Sequence, residues 1–146
     1  MKPFQFSLQS VLDYRKELEA AAALKFQKTQ QEVVIFEQVL DELMSELNRL
    51  AQYLQDRENL TAQELQQSSQ YRSHLGEQML VQRQNLAYAN RKRDLAHQAW
   101  MTAYQDLQVM ERLREKHFEN YREEMNQIEL KQMEEYAMIL RYRNQL

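Results

Sequence analysis

Between Val33 and Leu54 the apolar residues keep a strict rhythm. Val33, Phe36, Leu40, Leu43, Leu47, Leu50 and Leu54 alternate steps of three and four, and all are apolar. That is a heptad seam, a narrow stripe along which one helix packs on another. Followed towards the N-terminus it passes Thr29 and Phe26. Reaching Ala22, Leu18, Arg15, Val11 and Leu8 takes one additional step of four, a stutter that predicts local unwinding of the supercoil. A second run resumes the rhythm through Leu65, Ser68, Arg72, Leu75, Met79, Gln82, Leu86, Ala89, Arg93, Ala96, Trp100, Ala103, Leu107 and Met110, with ten of its fourteen positions apolar.

The stretch between the two runs carries a turn signal. Asn59 suits a left-handed helix end, and Thr61-Ala62-Gln63-Glu64 reads as a capping box, so the turn is predicted near 58–61. Ser68, Ser69 and Gly76 form the alternative break, but no comparable restart signal follows them. At the N-terminus, Phe4, Phe6 and Leu8 alternate as in an extended segment before helical spacing begins. Ser7 reads as the N-cap, with Phe6 and Val11 at the spacing of a hydrophobic staple.

The expected fold is all-α: a single long antiparallel two-helix coiled-coil hairpin, helix one about 7–57 and helix two about 62–143. At 1.5 Å per residue these helices would span roughly 75 Å and roughly 120 Å. The difference leaves a C-terminal overhang, about 112–146, without a partner in the chain. A hairpin turning near residue 59 pairs positions whose numbers sum to about 119. On that register Trp100 packs beside Leu18 and Ala22, within the Ala20–Ala23 run, a large side chain meeting small ones. Phe26 faces Arg93 and Ala96, and Phe4 lies near residues 113–115, closing the open end of the coil.

Composition narrows the class. The 146 residues include one Gly, one Pro and no Cys, so sheets and tight turns lack their usual punctuation and no disulfide framework exists. A net charge of −3 gives no field favouring nucleic acid. No apolar run approaches the roughly 20 residues of a membrane span, and Lys2 with no apolar run behind it does not read as a signal peptide. A cytoplasmic protein is the expectation.

Candidate chemistry is sparse. His74, His97 and His117 are far apart in sequence and form no metal-binding motif, Gly76 stands alone, and the pairs Glu123-Glu124 and Glu134-Glu135 read as solvated helix charge. Neither an enzyme nor a cofactor or metal site is expected. The basic run Arg91-Lys92-Arg93 spreads around the helix at 100° steps and reads as a solvated flank, not a nucleic-acid site. Val34 and Ile35 fall at outward heptad positions. The overhang repeats Phe118, Tyr121, Met125 and Ile128 at helical spacing, with Tyr136, Leu140 and Tyr142 beyond. That stripe folds back, pairs with a second copy, or docks into a partner through adaptable Met and Tyr side chains.

The opening "FQFSLQSVLDYRKELEAAA", whose specific part is Phe-x-Phe-x-Leu-x-x-Val-Leu-x-x-Arg ending at Arg15, together with "LREKHFENYREEMNQIELKQMEEYA", resembles the flagellar export family FliJ across essentially the whole chain. The related stalks of virulence-type type III secretion systems, and a homo-oligomeric structural coil, are the alternatives. The resemblance implies a non-catalytic coiled coil of the flagellar type III export apparatus, hence flagellum biogenesis, motility and chemotaxis. Such a stalk binds the export ATPase ring, promotes its assembly, and reaches the cytoplasmic part of the export gate. Export chaperones are further implied partners. The protein would be a cytoplasmic monomer, peripheral to the membrane and not inserted in it. By this analogy Phe4, Phe6, Arg15, Arg112, Arg114, Phe118 and Tyr121 at the open end meet the ATPase, and Leu43, Leu50, Tyr71 and Leu75 in the tip half meet the gate. Trp100, Ala22 and Leu18 are assigned to core packing.

Overall fold

The computed structural model describes residues 2–145. Two long helices, α1 (Gln9–Asp56) and α2 (Ala62–Gln145), are joined by residues 57–61 and form a helical hairpin. Two compact units each draw on both helices: one takes the chain up to Glu19 and from Thr102 onward, the other is Ala20–Met101.

The turn is built by the capping box. The Glu64 amide donates to Thr61 Oγ1 at 3.1 Å while the Thr61 amide donates to Glu64 Oε2 at 3.4 Å, so two otherwise free donors are satisfied reciprocally. Arg57 also reaches Glu64 Oε2, at 3.5 Å, and lies over the Tyr53 ring. Among the described residues no non-glycine backbone has positive φ, so Asn59 does not take the left-handed form expected of it. The alternative break at 68–76 is continuous helix.

In the unit Ala20–Met101, α2 presents Leu75, Met79, Ala89 and Ala96 as buried side chains, with Gln82, Leu86, Arg93 and Trp100 half-buried between or beside them. On α1, Val33 and Thr29 are buried, and Thr29 satisfies its hydroxyl by donating to the Phe26 carbonyl at 2.7 Å. Phe26 makes its ring contacts just beyond Arg93 and Ala96. Its ring stacks on Trp100, with centroids 5.7 Å apart and planes within 7°, and lies 5.0 Å from His97, about one turn further along α2. The Trp100 ring therefore packs on another aromatic face, an arrangement worth more than filling space over alanines. Only Ala22 and Ala23 of the alanine run turn inward, because four consecutive residues sweep most of a helix circumference. Leu18, assigned to the core from sequence, lies in the other unit and remains 37% exposed.

The first unit corrects the start of α1. The Leu8 carbonyl accepts the first helical bond, from the Leu12 amide at 3.0 Å, and the Phe6 carbonyl takes the Gln9 amide at 3.1 Å. The helix thus begins two residues after Ser7, and Phe6 packs with Leu12 and Leu107 instead of with Val11. Leu12 is 2% exposed and Val11 38%. The inward positions of α1 here are Leu12, Arg15 and Glu19, and Ala22 stands three residues further. These are ordinary three-four steps, so the expected stutter is absent. It arose from following apolar residues past Glu19 to Leu18.

The overhang also starts later than expected. Leu113, His117, Tyr121 and Met125 are half-buried, and Phe118 and Tyr121 touch Phe4. From residue 126 to 145 every residue is exposed.

Replacing Leu12 by Ala should destabilise the protein by about 2–4 kcal/mol, and Val11→Ala by less than about 1 kcal/mol, in urea unfolding followed by circular dichroism. Equal effects would contradict this rotation of α1. Gly76 lies inside α2 and a Cβ added there meets nothing within 4 Å. Gly76→Ala should therefore raise stability by roughly 0.5–1 kcal/mol through helix propensity alone.

Candidate interaction surfaces

The open-end cluster grows from two phenylalanines on an extended segment. Phe6 is buried with Leu12 and Leu107, while Phe4, Met110 and Leu113 pack against them half-buried. Phe6 meets the His117 ring edge-on at 5.3 Å. Phe4 meets Phe118 edge-on at 5.2 Å and Tyr121 at 5.5 Å, and the Arg114 guanidinium lies 5.8 Å from its ring centre. The Tyr121 hydroxyl donates to the Lys2 carbonyl and ties down the segment. The cluster turns a frayed terminus into a closed end.

This geometry divides the predicted ATPase-facing residues. Phe6 is interior and Phe4 is held in the cluster, so their side chains shape the end and offer little contact area. Arg15 is half-buried and paired with Asp106 at 3.3 Å. Tyr121 is half-buried, whereas Arg112, Arg114 and Phe118 are exposed on α2. His117, which sequence reasoning weighed only as a metal ligand, proves to be an inward residue. Its spacing of four from Leu113 was the available signal.

The tip half sorts similarly. Leu75 is 2% exposed and belongs to the seam, so its side chain packs inside the hairpin. Leu43 and Leu50 are half-buried and each gives one edge to a shallow groove: Leu43 beside His74, Gln78 and Val81, Leu50 beside Glu46, Arg49 and Tyr71. Tyr71 is exposed and donates its hydroxyl to Glu46 Oε2. Trp100 and Ala22 are half-buried. Sequence reasoning missed a third groove, in which Ile35, Phe36, Tyr88 and Ala89 lie beside the Glu32–Lys92 ion pair of 3.5 Å. Pairing the outward positions of α1 with those of α2 would have exposed it. It also missed that Gln82, a polar seam residue, buries its Oε1 without a hydrogen-bond partner.

No group of three His, Cys, Asp or Glu among the described residues is placed to hold a metal ion, and no helix there is long and apolar enough to cross a membrane. The perturbed proton is that of Tyr71. Its hydrogen bond to the Glu46 carboxylate, then burial, then the Glu46 charge hold the phenol above its ordinary value of 10.0, with Arg49 opposing. A raised folded-state value means that this contact contributes stability below the ordinary tyrosine range and loses it as pH rises through the folded value. In an absorbance titration, the difference between wild type and Tyr71→Phe should place this phenol above the ordinary tyrosine value. The difference should vanish in the Glu46→Gln background.

Residues 4–146 match the family described as Flagellar FliJ protein. Comparison with curated proteins and with solved structures gives no match. With a match over essentially the whole hairpin, the chain belongs to the flagellar FliJ family.

Proposed function

We propose that this protein is the stalk of a flagellar type III export apparatus: a non-catalytic coiled coil that binds the export ATPase ring, promotes its assembly and links it to the cytoplasmic part of the export gate. The family match carries the reading, since the FliJ family implies a flagellar, export-related coiled-coil protein. The open end supports the finer part. Arg112, Arg114 and Phe118 stand on a backbone held by the Phe4–Phe6 cluster, which presents cations and an aromatic ring from a fixed support. In the tip half, Tyr71 with the exposed edges of Leu43 and Leu50 forms the gate-facing surface. Export chaperones and a peripheral position at the membrane complete the role.

The test is the hydrolysis rate of the cognate export ATPase across its concentration range. The full chain should stimulate it most at low ATPase concentration, where ring assembly limits the rate. Arg112→Glu with Arg114→Glu should lower that stimulation about tenfold without loss of helicity, as expected for charges that guide docking. A Tyr71→Glu chain should retain it and lose capture by the gate's cytoplasmic part. No stimulation by the full, helical chain would overturn the ATPase role.

A further inference from the structure

Residues 2–8 run as a strap along α2, and little holds the strap there. Phe6 is buried and Phe4 half-buried, while Lys2, Pro3, Gln5, Ser7 and Leu8 are exposed. Among the described residues, the strap's main chain meets α2 through one hydrogen bond, donated by the Tyr121 hydroxyl to the Lys2 carbonyl. The Phe6 and Leu8 carbonyls are committed to the start of α1. A whole segment is thus ordered to seat two rings. So few buried contacts, set against so much chain entropy, mark a segment that opens while the rest of the hairpin stays closed.

What the strap covers gives that opening a consequence. Arg15 of α1 pairs with Asp106 of α2. Counting back from Arg15, α1 begins at Gln9, and the same number of steps on from Asp106 reaches Arg112. Beyond Arg112 the rings of the strap, not α1, lie against α2: Phe6 meets His117, and Phe4 meets Phe118 and Tyr121. A helix without tertiary cover is marginal in water.

We propose that residues 2–8 are a latch: its closure holds α2 helical beyond Arg112, and its release lets that stretch unwind while the unit Ala20–Met101 stays folded. Arg114 and Phe118 stand on the latched stretch, which begins at Arg112. A partner that grips them in helical form therefore closes the latch, and closure strengthens that grip by the same factor. This last consequence rests on the stalk reading; the latch itself does not.

Amide hydrogen exchange of the full chain, read by mass spectrometry, tests the latch with no partner present. In the wild type, residues 113–125 should be at least about tenfold less protected than residues 75–89, because a local opening exposes the first stretch and only wider unfolding the second. Tyr121→Phe keeps the ring and removes the hydrogen bond, so protection over 113–125 should fall about threefold. Phe4→Ala should lower it about tenfold and leave residues 75–89 unchanged. Equal protection of the two stretches in the wild type, or a Phe4→Ala chain as protected over 113–125 as the wild type, would overturn the latch. Loss of protection over 75–89 in that chain would overturn it too, since the strap would then belong to the global fold. With the cognate export ATPase added, protection of the wild type over 113–125 should rise, and stimulation by the Phe4→Ala chain should fall. Undiminished stimulation by a chain whose latch is open would overturn the coupling. Absence of stimulation by the wild type would count against the stalk reading, with the exchange result still deciding the latch.

Discussion

Two helices touch along one seam, and only a minority of the side chains on that seam are fully covered. A third layer would close the sides, and this hairpin has none. Burial is therefore scarce and scattered: among the described residues the buried apolar side chains are Phe6, Leu12, Val33, Leu75, Met79, Ala89, Ala96 and Leu107. No central core exists to absorb a local fault. Each layer of the coil depends on its own inward pair, and rotating a helix by one residue exchanges a buried position for an exposed one. Leu12 and Val11 show how sharp that exchange is.

An open coil has a second difficulty at its ends, where the seam meets water. The two ends are closed by different means. At the turn, polar groups do it: Thr61 and Glu64 satisfy each other's amides and Arg57 adds its charge. At the open end, aromatic rings do it, with an extended segment laid along α2 so that Phe4 and Phe6 cover Leu107, Met110 and Leu113. The choice follows from what each end must bridge. A five-residue connection leaves helix-terminal donors to be paired, whereas the terminus of α1 leaves a helix face uncovered.

Much of this was legible in the sequence because a heptad is a one-dimensional code. The fold class, the turn and the capping box follow from spacing and from Thr61 and Glu64, and twelve of the fourteen positions read as the α2 seam are buried or half-buried, Leu65 and Arg72 being the exposed pair. The errors share a cause. Hydrophobicity alone marks Leu18 and Val11 as inward, whereas the chain turns Glu19 and Leu12 inward. Register across the pair was less legible still, because an a/d pattern fixes which face is inward but not which turn of the partner it meets. Side-chain affinity decided that: Phe26 aligns with Trp100 and His97, one turn from its expected neighbours. Of the candidate contact residues, Leu75 carries a heptad position and an assigned contact role that point in opposite directions, and its burial follows the heptad.

That conflict bears on how a two-helix protein can bind anything. A residue on the seam contributes to the fold and is lost to partners, so contacts must come from outward positions or from stretches where one helix runs alone. Arg112, Arg114 and Phe118 illustrate the first kind, outward residues whose backbone is held by a cluster they do not join as core. Residues 126–145 illustrate the second, for there the inward line itself is exposed. The two surfaces should behave differently. The outward set offers small, charged contacts that exchange readily, because little apolar area is buried and salt screens the rest. The uncovered seam offers an apolar stripe at helical spacing, whose burial needs a surface of matching rhythm. A helix that keeps its rhythm past the end of its partner leaves an inward line with no cover from the hairpin itself.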